Sequence, residues 1–205
     1  MSRTTTAPGR APTASPRPDP GAPMRYTRVA VWLHWTIAAL IVTQLIGGIV
    51  MHKLPNSVSF KFEAYQMHKS FGLVVLALSL ARLAWRLTHR PPALSSDHAA
   101  WERTLARITH VAFYALMIAV PLAGWAMISN SALPSPFFLS PIDIPKLPVG
   151  GSVELWAEVH EYMAFTIIGL LALHVAGALK HHYADRDGTL ARMATWVRKP
   201  IGDMR

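Results

Sequence analysis

Residues 160–180 read HEYMAFTIIGLLALHVAGALK, an apolar run with a histidine near each end and no Asp, Glu, Lys or Arg from Tyr162 to Leu179. That uncharged stretch approaches the length with which a helix crosses about 30 Å of hydrocarbon. Ionisable side chains are costly inside a bilayer, so His160 and His174 are functional candidates from the outset. They are 14 residues apart. On an α-helix this leaves them within roughly 40° of one face and separated by about 21 Å along the axis. Anything bound by these two rings would sit near opposite membrane surfaces.

Three further stretches share the character of this one. Residues 29–51 (VAVWLHWTIAALIVTQLIGGIVM) and 108–128 carry no charge. The remaining span, taken as 66–87, has a shorter uncharged centre at 70–81, bounded by Lys69, Arg82 and Arg86. These residues must snorkel or meet partners. The expected fold is therefore all-α, an integral membrane bundle of four helices over residues 25–193. Residues 1–24, rich in Thr, Pro, Ala and Arg, lack apolar periodicity and read as a disordered arm. Residues 194–205 read as a short cytoplasmic tail. The first apolar run is too long for the core of a cleaved signal peptide, which makes it a retained anchor. Met24 directly precedes RYTRVAVWLHW and is a candidate start.

Composition narrows the chemistry. Of 205 residues, 52% are apolar and 15% charged, and there is no cysteine. Disulfides, thiolate metal sites, iron–sulfur clusters and covalently attached c-type haem are thereby excluded. The net charge of +9 does not point to nucleic acid, because the basic residues flank apolar blocks instead of forming one stripe. The arm to Arg28 holds five Arg, the 86–107 connection four, and the 180–205 tail six basic residues. The two other connections hold only Lys53, Lys61 and Lys146. This asymmetry places both termini in the cytoplasm. Trp32, Trp35 and Trp85 then belong to the inner interface, and Trp125 and Trp156 to the outer one.

Depth pairs the histidines. His34 lies six residues after Arg28 and His174 six before Lys180. On helices of opposite direction, both are about 9 Å from the inner boundary. His68 and His160 stand together near the outer boundary. The expected pairs are His34 with His174 and His68 with His160, each able to hold the iron of a b-type haem from opposite sides. A macrocycle between helices needs small neighbours. Each of the four has one four residues later: Ala38, Gly72, Ala164 and Ala178. His52, at a helix end before Pro55, and His110, three residues past Arg107, fit the depths less well and read as interfacial. His89, His98, His181 and His182 fall in connections or at the inner surface. Arg82, 14 residues after His68, is level with the inner centre and suits a haem propionate, while Arg86 is closer to the surface.

These residues carry a family likeness. YTRVAVWLHW, HKSFGLVVLALSLARLAWR, ARITHVAFYALMIAVPLAGW and HEYMAFTIIGLLALHVAGALKHHYADRDGTLARM resemble the bacterial cytochrome b561 family from about Tyr26 to about Met193. The resemblance implies a multi-pass inner-membrane cytochrome with two b-type haems that exchanges electrons with quinone. In one type of member, superoxide is oxidised on the outer side and ubiquinone is the acceptor. The family's ligand pattern, one histidine each in the first and second spans and two in the fourth, falls on His34, His68, His160 and His174.

Four functions are distinguishable on these grounds. The first is transmembrane electron transfer between a one-electron donor and ubiquinone or another quinone. The second is an oxidoreductase acting on superoxide, steered by Lys53, Lys61, Lys69 and Lys146. The third is a haem-bearing anchor subunit of a hydrogenase- or dehydrogenase-type complex. The fourth, a histidine-based transporter, would normally carry carboxylates within its spans, and the uncharged stretches have none. The proline-rich 130–152 connection could cap the outer centre or contribute to a quinone pocket.

Overall fold

The computed structural model describes residues 26–89, 91–92, 99–186 and 189–194. The arm at 1–24, the candidate start Met24, His98 and the tail beyond Ala194 lie outside the described residues. Four long helices dominate: α1 (Arg28–Lys53), α2 (Lys61–Thr88), α3 (Ala100–Ser129) and α4 (Val153–Tyr183), followed by the short α5 (Thr189–Met193). All four long helices have the length and apolarity to cross a membrane. The protein is a multi-pass, all-helical membrane protein.

Each helix runs past the uncharged stretch that announced it. Hydropathy marks where a helix meets lipid, whereas capping decides where its backbone stops. The Thr27 hydroxyl accepts from Ala30 N at 3.2 Å and starts α1. The Ser152 hydroxyl accepts from Leu155 N at 3.2 Å and starts α4 nine residues before the uncharged run. Glu102 accepts from Ala99 N at 3.1 Å and lets α3 begin well outside the apolar zone. Such side chains satisfy donors that the first helical turn leaves open.

The helices alternate in direction. Arg82 and Trp85, late in α2, reach Ala30 and Thr27 at the start of α1, and Lys180 at the end of α4 meets Glu102 at the start of α3. Tyr26 and Ala194 therefore lie at the same end of the bundle, the terminal end, and the 54–60 and 130–152 connections at the other, the loop end. Neighbours in sequence pack side by side, α1 on α2, α2 on α3 and α3 on α4. By contrast, α4 makes no extended backbone approach to α1 or α2. Small polar residues bring α2 close to its neighbours: Ser70 and Ser79 are fully buried, and Gln66 nearly so. Large apolar side chains such as Trp32, Ile46, Phe165 and Leu173 face outward, as lipid permits.

At the loop end the 130–152 connection is strapped to α2 and α3. Phe138 N donates to Ser70 Oγ at 2.8 Å, and its ring packs edge-on against Phe71. Leu147 N donates to Ser129 Oγ at 2.9 Å, and Trp125 Nε1 to Pro145 O at 2.7 Å. Phe138 and Leu139 both take positive φ, 47° and 59°, in a 3-10 turn, a costly geometry for residues of this size. Of the tryptophans expected at the interfaces, Trp35, Trp85, Trp125 and Trp156 all brace a bundle end by an indole hydrogen bond.

Candidate functional site

The two histidines of α4 each face a histidine from another helix. His34 of α1 and His174 have ring centroids 6.2 Å apart, and His68 of α2 and His160 are likewise 6.2 Å apart. Two metal–imidazole bonds of about 2.0–2.1 Å, with about 1.1 Å from each nitrogen to its ring centre, put the centroids a little over 6 Å apart. The pairs thus have the spacing at which both rings reach one metal from opposite sides. Among the described residues, no group of three or more His, Asp or Glu could hold a bare ion. Two protein ligands per site suit a metal that brings its own in-plane donors, as haem iron does.

Around His68 and His160 there is room for such a group. A cavity of about 540 Å³ opens between the helices and is lined from all four of them. That lies within the range of small-molecule and cofactor sites. Gly72 and Ala164, the small residues expected beside this pair, line it. Two glycines on the flanking helices go further. A Cβ on Gly48 of α1 would lie 3.3 Å from His68 Cε1, and one on Gly124 of α3 would lie 3.2 Å from both Cε1 and Nδ1 of His160. Each ring therefore rests in a notch that any larger residue would narrow. His160 Nδ1 is 2.9 Å from Val120 O, a distance at which a protonated Nδ1 donates and leaves Nε2 with its lone pair. His68 Nδ1 is buried without a partner among the described residues, while its backbone carbonyl accepts from Gln44 Nε2 at 2.8 Å.

The pair nearer the terminal end is more crowded. Trp35 stands edge-on to His34 at 5.3 Å, and Phe113 edge-on to His174 at 5.5 Å. His110, read from sequence as a shallow interfacial residue, has its ring 5.8 Å from that of His174. Arg82 lies at this level, as its spacing from His68 implies, and donates from Nη1 to Ala30 O at 3.0 Å. Beyond it, Arg82 and Arg86 share a small pocket of about 30 Å³ with Tyr26, Trp85 and Tyr114.

The remaining candidates separate cleanly. His52, expected at the interface, is among the residues that line the large cavity. His89 stacks on Trp85 at 3.8 Å, and His181 Nδ1 lies 2.8 Å from Asp185. Of the four lysines near the loop end, Lys61 bonds Leu54 O and Asn56 Oδ1, and Lys146 bonds Ser131 O. Lys53 and Lys69 line the cavity. Lys69 also bridges Gln66 Oε1 and Ser135 Oγ, both at 3.2 Å. Gly48 and Gly124 were missed by the sequence reading because each serves a histidine on another helix. The available signal was a glycine within an otherwise bulky apolar span.

Four membrane helices enclosing two histidine pairs, one beside a cofactor-sized cavity, define the class of membrane-embedded b-type cytochromes. Within it, the chain belongs to the prokaryotic cytochrome b561 family, whose profile matches residues 25–196. Membrane electron transfer and b-type haem come with that membership. Cytochrome b561 homolog 2 of Escherichia coli K12 is 28% identical over 173 residues, covering 83% of this chain and 92% of the relative. The protein named cytochrome b562 in Cereibacter sphaeroides is 28% identical over 173 residues, 82% of this chain and 94% of its own. A protein of Yersinia pestis named probable superoxide oxidase CybB is 23% identical over 172 residues, 82% of this chain and 95% of its own.

Proposed function

We propose that the chain carries two b-type haems and moves electrons across the bacterial inner membrane between a one-electron donor outside and membrane quinone. In this reading His34 and His174 bind the inner iron, His68 and His160 bind the outer iron, and both termini are cytoplasmic. The observation that carries it is the equal 6.2 Å spacing of two ring pairs built on one helix, 14 residues apart. Bound haem supplies the one-electron chemistry of iron, and imidazole on both faces favours electron transfer over oxygen activation. The protein's part is placement. Helix α4 fixes the separation of the centres, the glycine notches seat the outer rings, and Arg82 keeps donors in reserve beside Ala30 for a propionate.

The outer donor is proposed to be superoxide. Lys53 and Lys69 at the cavity lining give an anion a local attraction, whereas Lys61 and Lys146 are not among the lining residues. The name of the Yersinia pestis relative points the same way. Ubiquinone is proposed as the acceptor. Two measurements test the reading. Purified protein should yield two non-covalent haems per chain with low-spin b-type bands, and His34→Ala and His68→Ala should each leave one. A preparation supplied with haem that binds none would overturn the assignment. A superoxide pulse should reduce haem at a rate that salt lowers, and no reduction would remove superoxide as the donor.

A further inference from the structure

The environments of the two outer rings differ in one respect: His160 Nδ1 has an acceptor at 2.9 Å, and His68 Nδ1 has none among the described residues. That acceptor, Val120 O, lies on α3, a helix that contributes no ligand in the reading above. It is reached only because residue 124, one turn later, is glycine: a Cβ there would stand 3.2 Å from the ring's Cε1 and Nδ1. Residue 121 is proline, inside α3. The Val120 carbonyl therefore belongs to a tertiary amide, which is a stronger hydrogen-bond acceptor than the secondary amides of the rest of the helix. Acceptor strength and access are supplied within five consecutive residues, Val120 to Gly124.

We propose that this turn of α3 is the positioning and tuning element of the outer centre, holding His160 through Nδ1–H···O=C so that Nε2 points at His68. The proposal rests on the haem reading above. A metal-bound imidazole that donates its other N–H to a carbonyl is fixed in tautomer and orientation and becomes a better donor to the metal. A more basic ligand stabilises the ferric form, so the bond holds the outer haem at a lower midpoint potential than it would otherwise have. Gly48 differs: it makes room for His68 at 3.3 Å with no acceptor for that ring's Nδ1.

The test is redox titration and low-spin EPR of the purified, haem-loaded protein, with the outer haem identified as the one lost in His68→Ala. Gly124→Ala should raise the outer midpoint and change that haem's EPR signal, leaving the inner haem unaltered. Pro121→Ala should act in the same direction but less, because it only weakens the acceptor. It should fold well, since a proline within a helix is replaced by a good helix former, and it decides the question if Gly124→Ala does not assemble. Gly48→Ala should alter ring orientation, and hence EPR, without raising the midpoint. Outer midpoints unchanged in Pro121→Ala and Gly124→Ala, with both haems bound, would overturn the proposal and leave the haem reading standing. An equal rise in Gly48→Ala would also overturn it, since crowding alone would then explain the effect. Both haems surviving in His160→Ala would instead sink the underlying ligand assignment, and the proposal with it.

Discussion

A single guanidinium in an apolar span has consequences for the charge state of anything beside it. Arg82 lies in the crowded region near His34 and His174, with Nη1 held by Ala30 O. A fixed positive charge there favours the reduced, less positive form of a nearby haem. Replacing it by Gln should lower the inner midpoint while both haems remain bound, as read by spectroelectrochemistry; an unchanged inner midpoint would remove Arg82 from the site. At the loop end, on the proposed superoxide reading, Lys53→Gln and Lys69→Gln at the cavity lining should slow haem reduction by superoxide and flatten its salt dependence, whereas Lys61→Gln should not. The four paired histidines were legible in the sequence because ionisable groups are rare and costly at membrane depth. The glycines opposite them were not, because a notch is a property of two helices and no single stretch encodes which helix lies opposite. His110 was placed by its distance from Arg107 alone, and depth says nothing of which neighbour a ring meets, here His174.

At the scale of elements, the ends of the helices are governed by polar chemistry that hydropathy does not describe. Beyond the apolar stretches, Lys180 Nζ sits 2.7 Å from both Glu102 Oε1 and Asp185 Oδ2, tying the end of α4 to the start of α3. Hydrogen bonds from Lys180 hold the carboxyls of Glu102 and Asp185 below their usual range. Hydrogen bonds to Asp185 and Glu102 raise the Lys180 pKa. Groups depressed in the folded state stabilise above their unfolded pKa and lose that contribution as pH falls through the folded value; the raised lysine behaves oppositely at high pH. The clamp is thus complete from neutral to mildly alkaline pH. Lys180→Met should lower the melting temperature at neutral pH and lose its effect in acid, below the carboxylates' range. At the other end, Gly151 has φ of 117°, and a Cβ there would stand 2.7 Å from Trp156 Nε1. Gly151→Ala should cost about 1–3 kcal/mol in a detergent unfolding assay, the usual scale of forced backbone strain. Four long apolar helices stand where the sequence indicates four spans, and α2 begins at Lys61, five residues before the span taken as 66–87. The charged first turn there lies outside the apolar zone, which is all a hydropathy reading can see.

For the whole molecule, the orientation in the membrane has a direct test, made simple by the absence of cysteine. Ser57→Cys at the loop end should react with an impermeant maleimide added to intact cells, and Thr88→Cys at the terminal end should react only after lysis. The reverse pattern would invert the topology and exchange the inner and outer centres. The packing order has a further consequence for the life of the protein. Three long helices pack in series, and among the described residues α4, which carries half of the paired histidines, makes its extended backbone contacts with α3 and α5. Toward α1 and α2 it is joined by the Trp35 indole bond to Met193 O, in α5 beyond its end, and by the facing histidine pairs, which a bound haem would bridge. A newly inserted chain starved of tetrapyrrole would have its last long helix held less firmly on the side of α1 and α2, exposing histidines and glycines to the quality-control proteases of the membrane. Steady-state abundance of this cytochrome should accordingly follow haem synthesis, falling in a haem-limited culture even when its messenger level is held constant.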